Sequence, residues 1–469
     1  MAGLQIAPIV PETGQRLRNE FSESELAMLR NTWPMELLED PSKQAREVNT
    51  PEEFLRAVLV GDHIESLVVF PNGTKALNLS WEETVPQDIR RFLAGRTSGA
   101  DVAQGLVDEP HMLDRYMWRM DMFGGRHKLP STGHRCWLTP INCELTEQER
   151  TEFHVSLHNV LAYVKNGTLR PQDVYFSEVA RREPVLRPGA RDRNRLSVFS
   201  HDVKDLLGPK YGNWNLKWSN NDAGLFVGGR LSGTGLHVDR SLWSDVGRNF
   251  LGHKLLAVWP MGATGAAALA KFEHEAFQPP LDAAKLQVLK TAAKVTLLRP
   301  GDLYVFSGGV GHSVLCVSED EMCVGSYESA VTLHPRHVQL WKHKGIPNMK
   351  CDHIHCIGYD SEPPNRTAAR PIKGYVQNLI ALARQIETGR TSSSEHVVRP
   401  AGWDGILRAL DADAVLQATF RAQFSEAVGI LMRNKLMRAV LPRAVLRAAG
   451  WEDRMHDPSL EDEYYDGEA

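Results

Sequence analysis

The chain has 469 residues, of which 42% are hydrophobic and 24% charged, and these proportions exclude a wholly disordered, collagenous or coiled-coil protein. A formal net charge of −4 provides no global excess of positive charge for holding nucleic acid or an anionic membrane. No window offers about 20 consecutive apolar residues, so we expect no membrane-spanning segment. Six cysteines are too few for a disulfide scaffold, which favours a nuclear or cytoplasmic location.

The N-terminal region carries two helix-start signals. Ser22 with Glu25, and Thr50 with Glu53, have the spacing of a capping box, in which a hydroxyl and a carboxylate satisfy each other's free amide groups. We therefore predict a short helix after each of them. Further along, the apolar runs 67–70 and 76–79 flank an Asn-Gly pair, which is typical of a tight turn and predicts a β-hairpin.

The pattern of apolar residues then changes twice along the chain. A helix is predicted from Thr146 to about Val164, and short apolar runs cut by glycine follow it to about residue 335. Residues 372–386 and 403–449 have apolar residues at helical spacing. We predict a mixed α/β region at 1–150, a β-rich core at 151–345, a helical region at 346–451 and an acidic disordered tail at 452–469.

A His-x-Asp pair in the core, His237 and Asp239, has the geometry of a metal chelate. On a strand, residues i and i+2 project from the same face, so this imidazole and this carboxylate can reach one ion. The chain has one other such pair, His63 with Glu65. No companion motif supports that second pair, and we interpret it as an ordinary surface pair.

A third metal ligand is predicted at His312. A Pro-Gly-Asp turn at 300–302 leads into the apolar run 303–306, and His312 follows at the mouth of a second strand. Two histidines and one carboxylate form the facial triad of non-haem Fe(II) oxygenases, which leaves positions open for a 2-oxo acid and dioxygen. The distal carboxylate of such an acid needs a cation and a hydroxyl donor, for which Lys254 and Thr234 are the candidates.

These residues resemble the JmjC-domain oxygenases, which use Fe(II) and 2-oxoglutarate. The segment 232–239, Ser-Gly-Thr-Gly-Leu-His-Val-Asp, and the tripeptide 252–254, Gly-His-Lys, are similar to the signature of the JmjC lysyl-hydroxylase subgroup once labelled phosphatidylserine receptor. The likeness covers roughly residues 195–335. It implies iron ligands at His237, Asp239 and His312, and 2-oxoglutarate contacts from Thr234 and Lys254.

The resemblance also implies a fold and an activity. The expected fold is α+β, a double-stranded β-helix of the cupin and JmjC type between an N-terminal mixed region and a C-terminal helical region. The expected activity is a dioxygenase acting on protein side chains, with a histone or a nucleic-acid-associated protein among the candidate substrates. The closest motif match favours a hydroxylase. An N-methyl-lysine demethylase, a catalytically inactive interaction scaffold and a cupin-type enzyme without a 2-oxo acid are the alternatives, and Lys254 argues against the last.

Two positions depart from the subgroup's pattern. Gly247 stands where the subgroup has an asparagine, and Ser197 stands where it has a tyrosine. The polar contacts that those side chains would make to 2-oxoglutarate need substitutes. Asn249 and Ser326 are the candidates.

Three other features have more ordinary explanations. The segment 351–356, Cys-Asp-His-Ile-His-Cys, is dense in zinc ligands but does not have a familiar finger spacing. The arginine-rich stretch 181–195 can dock an acidic peptide or nucleic acid, although a solvated loop is the commoner explanation. The basic C-terminal helices are predicted to pack as accessory helices or to form a homodimer surface.

Overall fold

The computed structural model describes residues 37–38, 40–122, 157–181, 198–219, 224–230, 232–237, 244–259, 283–307, 311–318, 321–338, 369–389, 398–433 and 435–454. Over these ranges the chain is mixed α+β, with a large, mainly antiparallel sheet, a smaller sheet and helices. The predicted capping box at Ser22, the Cys351–Cys356 segment and nearly all of the acidic tail lie outside them. None of the described helices is both long enough and apolar enough to cross a membrane.

The strands of the described residues form two sheets. They are β1 (Arg46–Glu47), β2 (Val68–Phe70), β3 (Tyr116–Met122), β4 (Val174–Arg181), β5 (Asn215–Ser219), β6 (Leu225–Gly228), β7 (Gly233–His237), β8 (Ser244–Leu251), β9 (Lys254–Trp259), β10 (Lys294–Leu298), β11 (Leu303–Ser307), β12 (Gly311–Cys316) and β13 (Cys323–Thr332). The larger sheet has the order β1-β2-β11-β8-β13-β6-β4-β3, with β5 paired to β13. The smaller sheet has the order β10-β9-β12-β7.

Helices precede, interrupt and follow these strands. They are α1 (Pro51–Val60), α2 (Gly73–Ala76), α3 (Trp81–Thr84), α4 (Gln87–Leu93), α5 (Gly99–Asp108), α6 (His111–Arg115), α7 (Val203–Gly212), α8 (Ala283–Ala292), α9 (Ala369–Thr388), α10 (Trp403–Ala412), α11 (Ala414–Met432), α12 (Lys435–Val440) and α13 (Arg443–Ala448). Residues 157–165 are also helical. The helices predicted at 372–386 and 403–449 are therefore confirmed as α9 and as α10 to α13.

The strands from β6 to β13 pass repeatedly between the sheets. β6, β8, β11 and β13 belong to the larger sheet, while β7, β9, β10 and β12 belong to the smaller one. Strands β1, β2 and β3 come from the first 150 residues and extend the larger sheet, with β2 paired to β11 and β3 to β4. The N-terminal region thus contributes strands to the same sheet as the residues of the predicted core.

Two apolar layers fix the positions of the sheets. Leu256 and Val258 of β9 pack with Val314 of β12 and with Tyr304 and Phe306 of β11, so one buried cluster joins the facing sides of the two sheets. The opposite face of the larger sheet is covered by helices, because Val246, Leu303 and Val305 belong to the same cluster as residues of α1, α10 and α11. Side chains that alternate along each strand therefore point either between the sheets or towards the helices.

The helix start predicted at Thr50 is confirmed, but the predicted capping box is not complete, because the Glu53 carboxylate bonds the residue before Thr50. The Thr50 hydroxyl accepts a hydrogen bond from the backbone N–H of Glu53 at 3.2 Å. The Glu53 carboxylate in turn accepts one from the backbone N–H of Asn49 at 2.9 Å. Helix α1 ends at Gly61, which has a φ of 80° that favours glycine.

The hairpin predicted at 67–79 is wrong. Strand β2 is followed by the short helix α2, and it pairs with β1 and β11 instead of with a neighbouring strand. The positive φ of Asn72, 53°, leads into this helix. Distant contacts fix the turn, since the Asn72 N–H donates to the Asp302 carboxylate at 3.1 Å and the Thr74 hydroxyl donates to the Gly301 carbonyl at 2.9 Å.

His63, interpreted from the sequence as part of a surface pair, is fully buried. One ring nitrogen lies 3.1 Å from the Ala57 carbonyl and the other lies 2.5 Å from the Ser244 hydroxyl. Burial, partly offset by the Ala57 hydrogen bond, lowers the pKa of His63 to about 3. His63 is therefore a neutral core residue that joins the first helical segment to β8.

This burial predicts a loss of stability in mild acid. Below about pH 6.5 the unfolded chain protonates His63 and the native chain does not, so the free energy of unfolding falls as the pH drops towards 3. Between pH 7 and pH 5.5 we expect a loss of about 1 kcal/mol from this residue. Urea unfolding of His63→Gln should show a shallower pH dependence than the wild type, whereas His111→Gln, at an exposed position, should not. Equal slopes in all three proteins would contradict the assignment.

Candidate functional site

The two predicted histidine ligands lie on neighbouring strands of the smaller sheet. In the antiparallel pair β7–β12, His237 is directly opposite His312. Facing residues of such a pair have Cα atoms about 4.5–5.5 Å apart, which is close enough for two imidazoles to reach one ion. Asp239 lies outside the described residues, as do the side chains of Thr234 and His237. The complete ligand set therefore stays a prediction.

His312 lies in the space between the sheets. It is 4% exposed, and its ring centroid lies 4.8 Å from that of Phe306 on β11 of the larger sheet. Val314, two residues further along β12, belongs to the cluster that joins the sheets. The alternation along β12 thus turns His312 inwards, away from bulk water.

Lys254 lies at the other end of the same space. It is fully buried at the start of β9, opposite Leu298 on β10 and Cys316 on β12. A Cβ placed on Gly325 of β13 would lie 2.6 Å from Lys254 Nζ. The side chain therefore crosses from the smaller sheet to the larger one, and its ammonium group rests where Gly325 has no side chain.

The ammonium group of Lys254 has no hydrogen-bond partner among the described residues. Leaving a buried cation in this state costs free energy, because the group has lost its water without gaining an acceptor. Such an arrangement is typical of a site that receives an anion.

Two buried thiols respond to the Lys254 charge. Burial alone would raise the pKa of Cys316, but the hydrogen bond with Cys323 and the Lys254 charge outweigh it, so the pKa of Cys316 is lowered. The pKa of Cys323 is raised well above its ordinary value by burial and by its interaction with Cys316. The hydrogen bond between the thiols acts in opposite directions on their two pKa values, whereas the Lys254 charge acts to lower both.

Asn249 and Ser326, the two candidate substitutes for the missing asparagine, lie in different environments. Asn249 pairs with Gly325, and its amide donates to the Gly252 carbonyl at 2.8 Å, which leaves its buried carbonyl oxygen without a partner in the described part of the chain. Ser326 pairs with Arg248 and lies one residue from Gly325. Its side chain therefore points to the helix-covered face, away from Lys254, and Ser326 as a substitute is wrong.

The space beside Gly247 is filled by a residue that the sequence reasoning missed. A Cβ on Gly247 would lie 2.2 Å from Cζ of Tyr304, so the phenol ring rests directly on the glycine backbone. Gly247 faces Tyr304 on one side and Tyr327 on the other. The run 303–306 places Tyr304 and Phe306 on one face of β11, and this alternation is the sequence signal that could have indicated inward aromatic side chains. Ser197, the second departure from the subgroup's pattern, lies outside the described residues.

No protein-family model matches the chain, and no curated protein matches its sequence. The motif residues and the geometry between the two sheets are therefore the features that indicate a function.

Proposed function

We propose that this protein is an Fe(II)- and 2-oxoglutarate-dependent dioxygenase that hydroxylates protein side chains. The observation that carries the proposal is the burial of Lys254 between the two sheets. Its ammonium group has no partner in the described structure, and His312 lies further along the same sheet, where it pairs with Val258 of β9. A dicarboxylic 2-oxo acid fits this arrangement. Its oxo group and near carboxylate suit a metal ion, and its far carboxylate suits the lysine.

The order of the strands supports the proposal. Of the eight successive strands β6 to β13, four belong to each sheet, and this distribution supports a jelly roll. We propose that these strands form the double-stranded β-helix of a JmjC domain. The neighbouring positions of His237 and His312 on β7 and β12 then correspond to a metal site between the sheets.

Each residue has a physical role in this proposal. His237 and His312, with Asp239, would hold the iron, and Lys254 would bind the far carboxylate of 2-oxoglutarate with the help of the Thr234 hydroxyl. When bound, iron and 2-oxoglutarate supply an oxidation of the substrate that is coupled to decarboxylation of the 2-oxo acid. The apolar residues between the sheets exclude water, which strengthens the pairing of Lys254 with a carboxylate.

The proposed substrate is a side chain of a protein or peptide that is present in the nucleus or cytoplasm. Hydroxylation is preferred to demethylation because the motif residues at 232–239 and 252–254 are most similar to a hydroxylase subgroup. Both reactions need the same metal and the same acid.

An anaerobic titration tests the cofactor assignment without knowledge of the substrate. Metal-free protein receives Fe(II) and then 2-oxoglutarate, and the visible charge-transfer band of the chelate is recorded. We expect a band with 2-oxoglutarate and none with glutarate, which has both carboxylates but no oxo group to chelate the metal. A folded wild-type protein that gives no band with 2-oxoglutarate would overturn the proposal and favour the interaction scaffold.

A further inference from the structure

Two glycines open the inner face of the larger sheet. Gly247 on β8 lies opposite Tyr327 on β13, and Gly325 lies two residues before Tyr327. The two glycines are therefore diagonal neighbours, with Cα atoms roughly 7–8 Å apart. A long polar side chain from another strand occupies the space above each of them. The Lys254 ammonium lies over Gly325, and the Tyr304 phenol lies over Gly247.

Tyr304 is a buried hydrogen-bond donor in an otherwise aromatic environment. Its side chain is fully buried, and its hydroxyl has no hydrogen bond of normal geometry to a described residue. The rings of Phe306 and Tyr327 pack against it with centroids 6.4 Å and 5.8 Å away. Burial first, and then the nearby hydroxyl of Tyr327, raise the pKa of Tyr304 well above its ordinary value. The phenol therefore stays protonated and can donate a hydrogen bond to an anion.

The contacts place this phenol between the two ends of the proposed site. On one side is Gly247, whose backbone lies beneath the Tyr304 ring. Its diagonal neighbour is Gly325, whose backbone lies beneath the Lys254 ammonium group. On the other side, Phe306 is two residues from Tyr304 on β11, and its ring contacts His312. The order across the space is Lys254, then Tyr304, then His312. An acid that reaches from the lysine to a metal at His312 passes the phenol.

We propose that Tyr304 is a binding residue for the 2-oxo acid, and that its hydroxyl donates a hydrogen bond to the end of the acid that faces the metal. This inference rests on the proposed function and deepens it. The bare backbone of Gly247 is the complementary feature, because any larger residue at that position would force the Tyr304 ring out of place. Lys254 and Tyr304 then recognise opposite ends of one ligand.

A comparison of two 2-oxo acids distinguishes the role of Tyr304 from that of Lys254. The full-length protein is titrated anaerobically with Fe(II) and with either 2-oxoglutarate or 2-oxobutyrate, which lacks the far carboxylate, and the dissociation constant of each acid is measured. We expect Tyr304→Phe to weaken the binding of both acids by the same factor, roughly tenfold, because the substitution removes one hydrogen bond to a charged group. Lys254→Met should weaken the binding of 2-oxoglutarate and leave the binding of 2-oxobutyrate unchanged. Tyr211→Phe removes another buried phenol hydroxyl, one bonded to Asp411, and should change neither.

The outcomes distinguish this inference from the function on which it rests. A wild-type protein that binds 2-oxoglutarate, together with a Tyr304→Phe variant whose affinity is within twofold of it, would overturn the role of Tyr304 and leave the dioxygenase intact. A Tyr304→Phe variant that binds 2-oxoglutarate more weakly but binds 2-oxobutyrate normally would also overturn the role of Tyr304. That result would mean that the phenol contacts the far carboxylate. Failure of the wild type to bind any 2-oxo acid would overturn the proposed function itself. The apparent affinity for Fe(II) without acid should be unchanged in Tyr304→Phe.

Discussion

Replacing Lys254 with methionine is expected to weaken 2-oxoglutarate binding by about a hundredfold or more, since a buried charge-assisted contact is lost. The same change is expected to raise the melting temperature of the protein without ligand. Methionine has a similar length and carries no charge, so it removes a buried cation that has no acceptor among the described residues. Opposite effects on affinity and on stability are the mark of a residue that is retained for binding.

A second lysine provides the matched control. Lys294 begins the neighbouring strand β10 and is partly exposed, and its ammonium group donates to the Ser42 carbonyl at 2.5 Å. Lys294→Met should leave the affinity for 2-oxoglutarate unchanged and should not raise the melting temperature. Isothermal titration and thermal unfolding measure the two quantities. A Lys254→Met variant that binds 2-oxoglutarate as tightly as the wild type would remove the main support for the dioxygenase proposal.

The features predicted correctly from the sequence depend on nearby residues. The cap at Thr50 is formed by residues within four positions of one another, and the helices at 372–386 and 403–449 follow from a repeat of about 3.6 residues. The motif residues also predicted a strand at His237 and the mouth of a strand at His312, and both residues lie on strands in the structure. Short spacing along the chain was sufficient in each of these cases.

The features that the sequence could not provide depend on distant strands. The Asn-Gly pair at 72 was interpreted as a hairpin, yet its turn is fixed by Gly301 and Asp302, more than 200 residues away. His63 looked like a surface residue because nothing near it in sequence shows that Ser244 will cover it. Tyr304 could not be connected with Gly247 before β11 and β8 were known to pair.

A buried ion pair behind the site gives the largest expected effect on stability. Arg248 of β8 and Glu328 of β13 form a hydrogen-bonded pair on the helix-covered face of the larger sheet, and both side chains are at most 1% exposed. The Glu328 carboxylate also accepts the backbone N–H of Val203, at the start of α7, at 2.8 Å and 3.0 Å. We expect Glu328→Gln to lower the free energy of unfolding by about 3–5 kcal/mol, because it leaves the arginine charged and unpaired.

Removing both charges is the control for this prediction. Glu328→Leu combined with Arg248→Met should be much closer in stability to the wild type than Glu328→Gln, because the cost lies in an unpaired buried charge and not in the absence of the pair. Chemical denaturation of the single and double variants measures the difference. Strands β8 and β13 also carry Gly247 and Gly325, so the double variant should still bind 2-oxoglutarate if the ion pair only supports the sheet. Equal losses of stability in the two variants would mean that Glu328 acts through the N–H of Val203 and the packing of α7, and that the charge of Arg248 is of little consequence.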